Sequence, residues 1–151
     1  MNLRENAITH FDHREAPLCA LNEGLLAGLR HRTVIDHSNG ARELALWQEE
    51  HMPGFLVPLH RHDCEEIITV LAGEILAEDE IGTVVVRAGQ SILIPANSLH
   101  GFRVSSDIPV RLLAIFGSPS PKVLRADGTP SSPPWEGGAS DHLAPRPTKP
   151  A

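Results

Sequence analysis

"GFLVPLHRHDCEEIITVLAG", residues 54–73, sets two histidines two apart and a glutamate four further on, inside a run that is otherwise apolar and β-branched. Side chains alternate faces along an extended strand, so His60 and His62 project the same way and can grip one ion together. Glu66 shares their parity across a bend at Asp63 and Cys64, while Glu65, of opposite parity, is the competing carboxylate. Downstream, "GQSILIPANSLHGFRV", residues 89–104, supplies His100 just after a Pro-Ala-Asn turn. Three imidazoles and one carboxylate suit one divalent transition metal per chain (Fe, Mn, Ni, Co, Cu or Zn) and do not suit calcium. Around an octahedral ion they leave two positions for water, substrate or dioxygen; around tetrahedral zinc they would close the site. With neutral imidazoles the ion keeps positive charge, which favours an anionic oxygen such as an enolate or carboxylate.

The surrounding chain reads as strand after strand. Turn signals recur at Asn39-Gly40, Pro53-Gly54, Ala72-Gly73, Ile81-Gly82, Ala88-Gly89 and Pro95-Ala96-Asn97, and the segments between them are strand-length and rich in Val, Ile, Leu and Thr, with no helical period. An all-β barrel or sandwich follows for residues 33–117. Residues 1–32 form an N-terminal arm in which "LCALNEGLLAGL" (18–29) allows one short helix, weakened by Gly24 and Gly28. Asn39-Gly40 predicts a type I′ hairpin turn. Residues 118–151, dense in Pro, Gly and Ser, cannot form a core of their own and read as a tail, pinned to the barrel by Val123, Leu124 and Trp135.

A chain of 151 residues can bury a core without a metal staple, so a metal here is functional rather than structural. The net charge of -6 and pI near 5.8 exclude a generic surface for nucleic acid or anionic membrane. A small-molecule partner is expected. Only Cys19 and Cys64 occur, and the N-terminal stretch lacks the apolar core of a signal peptide, so the expected compartment is the cytoplasm. There is no tyrosine, and the only lysines are Lys122 and Lys149. Tyrosine and lysine acid-base chemistry is thereby removed from the core.

Residues 54–73 resemble the first cupin motif through Gly54, His60, His62, Glu66 and Gly73, and residues 89–104 resemble the second through Gly89, Pro95 and His100. In the second motif Asn97 stands in place of the usual glycine and Val104 in place of a frequent asparagine; Asn tolerates the left-handed backbone that the turn requires. The resemblance implies a double-stranded β-helix (jelly-roll) barrel, metal at His60, His62, Glu66 and His100, and a homodimer. Its activities range over dioxygenases, isomerases, epimerases, lyases, storage proteins and sensors, so fold alone does not choose. With metal as the main source of chemistry, the expected function is a dioxygenase-like enzyme acting on a small oxygenated substrate, with Glu66 as its base. A non-redox isomerase or lyase is the alternative within the enzyme class; a non-catalytic ligand- or metal-binding sensor is the alternative outside it.

Other side chains receive plainer readings. Cys64 is a small buried filler, Arg61 and Arg103 face outward, and His10, His13, His31, His37, His51 and His142 are surface residues. The pocket wall is expected to include Phe102 and, on the strand around residues 41–51, either the face of Leu44, Leu46 and Gln48 or that of Trp47 and Glu49. Gln48 is the polar candidate for substrate contact, because a buried amide needs a partner.

Overall fold

The computed structural model describes residues 6–24 and 26–136. Twelve strands follow one another: β1 Leu18–Ala20, β2 Leu29–Ile35, β3 Ala45–His51, β4 Leu56–His62, β5 Glu66–Ala72, β6 Glu74–Asp79, β7 Thr83–Arg87, β8 Ser91–Ile94, β9 His100–Val104, β10 Val110–Phe116, β11 Val123–Arg125 and β12 Pro130–Ser131. They form two antiparallel six-stranded sheets, ordered β1-β2-β3-β10-β5-β8 and β12-β11-β4-β9-β6-β7. The expected all-β jelly-roll barrel is therefore what the chain builds. Its core draws on both sheets: Trp47, Leu112, Ala114, Phe116, Ile68 and Val70 from the first, and Ile75, Phe102, Val104 and Val123 from the second.

Strand pairing continues beyond both ends of residues 33–117. β1 and the first half of β2 extend the first sheet, and β11 pairs with β4 through Val123 opposite His62. Trp135 packs edge-on to Trp47 with ring centroids 5.1 Å apart, so the segment after Gly117 is anchored where its apolar residues fall. His142 and Lys149 lie outside the described residues.

Two local expectations are corrected. The described residues of 18–29 form no helix: Leu18–Ala20 pairs with Arg30–Arg32, and Gly24 and Gly28 adopt φ of +80° and +95°, a left-handed backbone that ends any helical run. Asn39-Gly40 does lie between paired antiparallel strands, but in a longer connection than a type I′ turn. Asp36 caps a short 3-10 turn over His37–Asn39, with its side chain accepting from Ser38 N and the Asn39 side chain accepting from Asp36 N, before Gly40 reverses the chain at φ +107°. Asn97 takes φ +64°, as the second motif's turn demands.

A close approach beside the histidines is set by Gly101. A Cβ there would lie 2.6 Å from the Val57 carbonyl oxygen, so only glycine lets β9 press against the irregular stretch of β4 between Val57 and His60. That contact brings His100 level with His60 across the ladder.

Candidate metal centre

His60 and His62 point inward from β4, His100 from the neighbouring β9, and Glu66 from β5 in the opposite sheet. All four are buried, at 3–6 % exposure. One ligating nitrogen from each histidine lies within 4.8 Å of the others. His60 Nε2 and His62 Nε2 are 3.1 Å apart, and Glu66 Oε1 lies 3.1 Å from His100 Nε2 and 3.6 Å from His62 Nε2. Glu65, the competing carboxylate, is exposed.

The protons on these rings decide what the cluster can hold. Each Nδ1 sits 2.8 Å from a main-chain carbonyl oxygen, that of Pro58 for His60, Lys122 for His62 and Ser98 for His100. A carbonyl only accepts, so each Nδ1 carries the hydrogen, and a neutral ring then leaves Nε2 as a bare lone pair. Three such lone pairs and a carboxylate oxygen face one another with no proton among them. They repel unless a cation or added protons intervene. The 3.1 Å separation of His60 and His62 Nε2 is also close to the roughly 3 Å expected between ligands at right angles about an ion some 2.1 Å away. The residues thus fit a divalent metal.

Aromatic and main-chain contacts lock the set. Phe116 and Trp47 meet the His62 ring edge-on at centroid distances of 4.9 and 6.3 Å. Asp63 Oδ1 accepts from Lys122 N, which steadies the carbonyl that holds His62 Nδ1. Burial holds the His62 imidazole below its ordinary value, a pull partly opposed by the Glu66 carboxylate. Cys64 is buried, and burial pushes its thiol up to about 11, so at neutral pH it is a protonated filler rather than a thiolate ligand.

A cavity of about 50 Å³ rises from the centre, walled by Val57, Ile68, Phe102, Phe55 and Leu112 and reaching Trp47, Glu49 and His51. A wider opening of about 350 Å³ beneath the Asp79–Gly82 turn shares Ile68, His100 and Phe102 with it. Phe102 lines both spaces. Gln48 does not: β3 turns Ala45, Trp47, Glu49 and His51 inward, and Gln48 points to the outer face, where its Oε1 lies 2.5 Å from His13 Nδ1 in the N-terminal arm.

That inward face also corrects the reading of two histidines as surface residues. His31 and His51 are each 1 % exposed, and they flank Glu49. His31 Nδ1 donates to Glu49 Oε2 at 2.8 Å, and its Nε2 lies 2.8 Å from the Thr33 hydroxyl. His51 Nε2 lies 3.4 Å from Glu49 Oε1. Trp135 stacks flat on His31 at 3.6 Å. Burial alone would push the Glu49 carboxyl up, but the bond from His31 and the nearby His51 imidazole outweigh it and keep the group ionised far below the usual carboxylate range. A signal existed in the alternation of Leu29, His31 and Thr33 with Arg30 and Arg32, which marks the histidine parity of β2 as the inward one.

Comparison with known proteins agrees with this architecture. Residues 47–116, the stretch that carries the four candidate ligands, match the cupin domain family. Auxin-binding protein 1 of Arabidopsis thaliana is 32 % identical over 107 residues, covering 64 % of this chain and 54 % of that protein. The match spans about half the length of that curated relative, and only about a quarter of the tobacco auxin-binding protein T92. Among solved structures, the polyketide cyclase RemF from Streptomyces resistomycificus superposes with a TM-score of 0.63 at 26 % identity, over 73 % of this chain and 79 % of that one. A cupin sugar phosphate isomerase from Silicibacter pomeroyi shares the fold at a TM-score of 0.63 and 17 % identity, over 82 % and 97 % of the two chains. Among the described residues no helix is long and apolar enough to cross a membrane.

Acid should undo the centre. With its folded-state pKa below the unfolded value of about 6.5, His62 gives the native state fewer protons than the unfolded chain, so its contribution is present above that pH and is lost as the pH falls below it. Metal content after dialysis should fall steeply between pH 7 and 5, because a protonated imidazole cannot coordinate. Metal retention unchanged at pH 4.5 would contradict the three-histidine assignment.

Proposed function

We propose that the protein is a metal-dependent enzyme that acts on a small oxygenated anion, with one divalent transition metal held by His60, His62, His100 and Glu66. The observation that carries this reading is the convergence of four protonless donor atoms at the base of an apolar cavity. A divalent ion there supplies Lewis-acid charge to a bound carbonyl or carboxylate oxygen. Phe102, Val57 and Ile68 exclude water around the ligand and strengthen every charge interaction inside. Glu66 is the carboxylate in reach of that floor, and with no tyrosine in the chain it is the group to take a proton from the substrate and return it. This favours metal-assisted proton transfer, and the 26 % identity to a polyketide cyclase supports a non-redox reaction. Dioxygenase-like oxidation uses the same donor set and is distinguished by oxygen uptake.

Capture of a small ligand without turnover is the second reading, favoured by the auxin-binding relatives.

A second copy of the chain is the proposed protein partner. Ile35, Leu46, Ile115, Ile67 and Leu93 stand side by side across β2, β3, β10, β5 and β8 on the outer face of the first sheet, and Ile67 and Leu93 remain 38 % and 61 % exposed. An apolar row of this kind is a liability in a monomer and a seam in a dimer.

Assays of metal-loaded protein against β-diketones, flavonols, keto acids and sugars, with an oxygen electrode in line, test the activity. The expected result is turnover without oxygen uptake, reduced at least about 100-fold in Glu66→Gln while part of the metal is retained. Full activity in that variant would remove Glu66 as the base, and binding without conversion of any ligand would establish the second reading. Light scattering should show a dimer that Ile67→Lys converts to monomer; a monomeric wild-type protein would exclude the seam.

A further inference from the structure

His31 and His51 meet the same carboxylate, yet only one of them has its hydrogen bonding complete. His31 uses both ring nitrogens, on Glu49 and on Thr33. His51 is equally buried, and among the described residues neither of its ring nitrogens has a hydrogen-bond partner. Its Nε2 sits at ion-pair distance from Glu49, 3.4 Å, while the rings around it, Phe55 at 4.5 Å and Phe102 at 5.4 Å between centroids, offer no conventional acceptor or donor. A buried polar atom without a partner is costly, so such an atom calls for an explanation. The explanation lies in where it stands: His51 lines the cavity whose other end is the metal centre.

We propose that His51 is the second anchor of the ligand in this cavity, its imidazole accepting a hydrogen bond from a hydroxyl group of a small anion whose acidic oxygen is held at the His60, His62, Glu66 and His100 centre. The inference rests on the metal reading above and adds the chemistry of the ligand's other end. Glu49 sets the polarity of the anchor. Fixed as a carboxylate by its bond to His31, it faces His51 Nε2 and draws the ring hydrogen to that atom, which leaves Nδ1 of the neutral ring as an acceptor. An acceptor set in a wall of Phe55, Phe102 and leucines discriminates sharply, because a ligand that brings only methyl or methylene groups leaves it unsatisfied. The ligand class is therefore a hydroxylated carboxylate or enolate with an apolar middle, rather than a simple fatty acid. His51 is a binding residue and Glu49 a positioning residue that acts through it.

Isothermal titration of nickel-reconstituted protein, whose octahedral ion leaves positions open, with matched pairs of acids tests this: butanoate against 4-hydroxybutanoate, pentanoate against 5-hydroxypentanoate, and hexanoate against 6-hydroxyhexanoate. At one chain length the hydroxy acid should bind roughly fivefold or more tightly than its partner, the return of one satisfied hydrogen bond. That ratio should fall to about one in His51→Phe and survive in part in His51→Gln, whose amide offers a donor to Glu49 and an acceptor to the ligand. Equal binding within all three pairs in the wild-type protein overturns the proposal and leaves the metal reading standing, as does a ratio that persists in His51→Phe. If no acid binds although nickel is retained, the anion-on-metal reading fails and the proposal falls with it. Should His51→Phe not fold, His51→Leu, which likewise lacks an acceptor, takes its place: a ratio near one there supports the proposal and a ratio that persists overturns it.

Discussion

Three imidazoles that each give their Nδ1 hydrogen to a main-chain carbonyl have nothing left to offer one another but lone pairs, and the fold buries those lone pairs together with a carboxylate. In a low-dielectric interior this arrangement costs free energy unless positive charge is present. Much of the surrounding structure serves to impose it. The missing side chain at Gly101 lets β9 lie against β4, Phe116 and Trp47 fix the His62 ring, and the segment after Gly117 supplies the Lys122 carbonyl. A centre assembled from both sheets also ties its geometry to the barrel, because Glu66 on β5 and the histidines on β4 and β9 keep their distances only while the sheets stay packed.

The second polar cluster obeys the same logic with a different outcome. His31, Glu49 and His51 cross the interior as an acid flanked by two bases, with Trp135 stacked on the outer histidine. Glu49 keeps its charge because one imidazole bonds it outright and the second stands close by, whereas unpaired burial would have neutralised it. The two clusters line one cavity together with Phe55 and Phe102.

The clustering of the four candidate ligands was legible in the sequence because its information is local. His60 and His62 announce their common face by spacing alone, Glu66 follows within one bend, and His100 comes directly after a turn whose Asn97 tolerates the backbone required. The flanking cluster was not legible in the same way. His31 and Glu49 are opposite one another in the β2 and β3 ladder, so their meeting depends on register between strands, and no spacing within either strand records it. The facing of β3 was ambiguous because its two parities, Leu44, Leu46, Gln48 and Ala45, Trp47, Glu49, His51, each mix apolar with polar residues; core packing of Trp47 against Phe116 settles it. Support from Pro58, Ser98 and Lys122 comes through carbonyl oxygens that every residue type carries, which is why no side-chain pattern pointed to it. The Asn39-Gly40 signal correctly marked a reversal but not its form, since Asp36 competes for the local N–H groups and draws the connection into a capped 3-10 turn.

The account stands or falls on a cation among those four donors. Plasma mass spectrometry of protein purified without an affinity tag or chelator, with His100→Ala purified in parallel, addresses it directly. The account predicts close to one transition-metal ion per wild-type chain and a large loss in the variant. Wild-type protein that holds no metal, even after anaerobic reconstitution with iron, manganese, nickel, cobalt, copper or zinc, would contradict it.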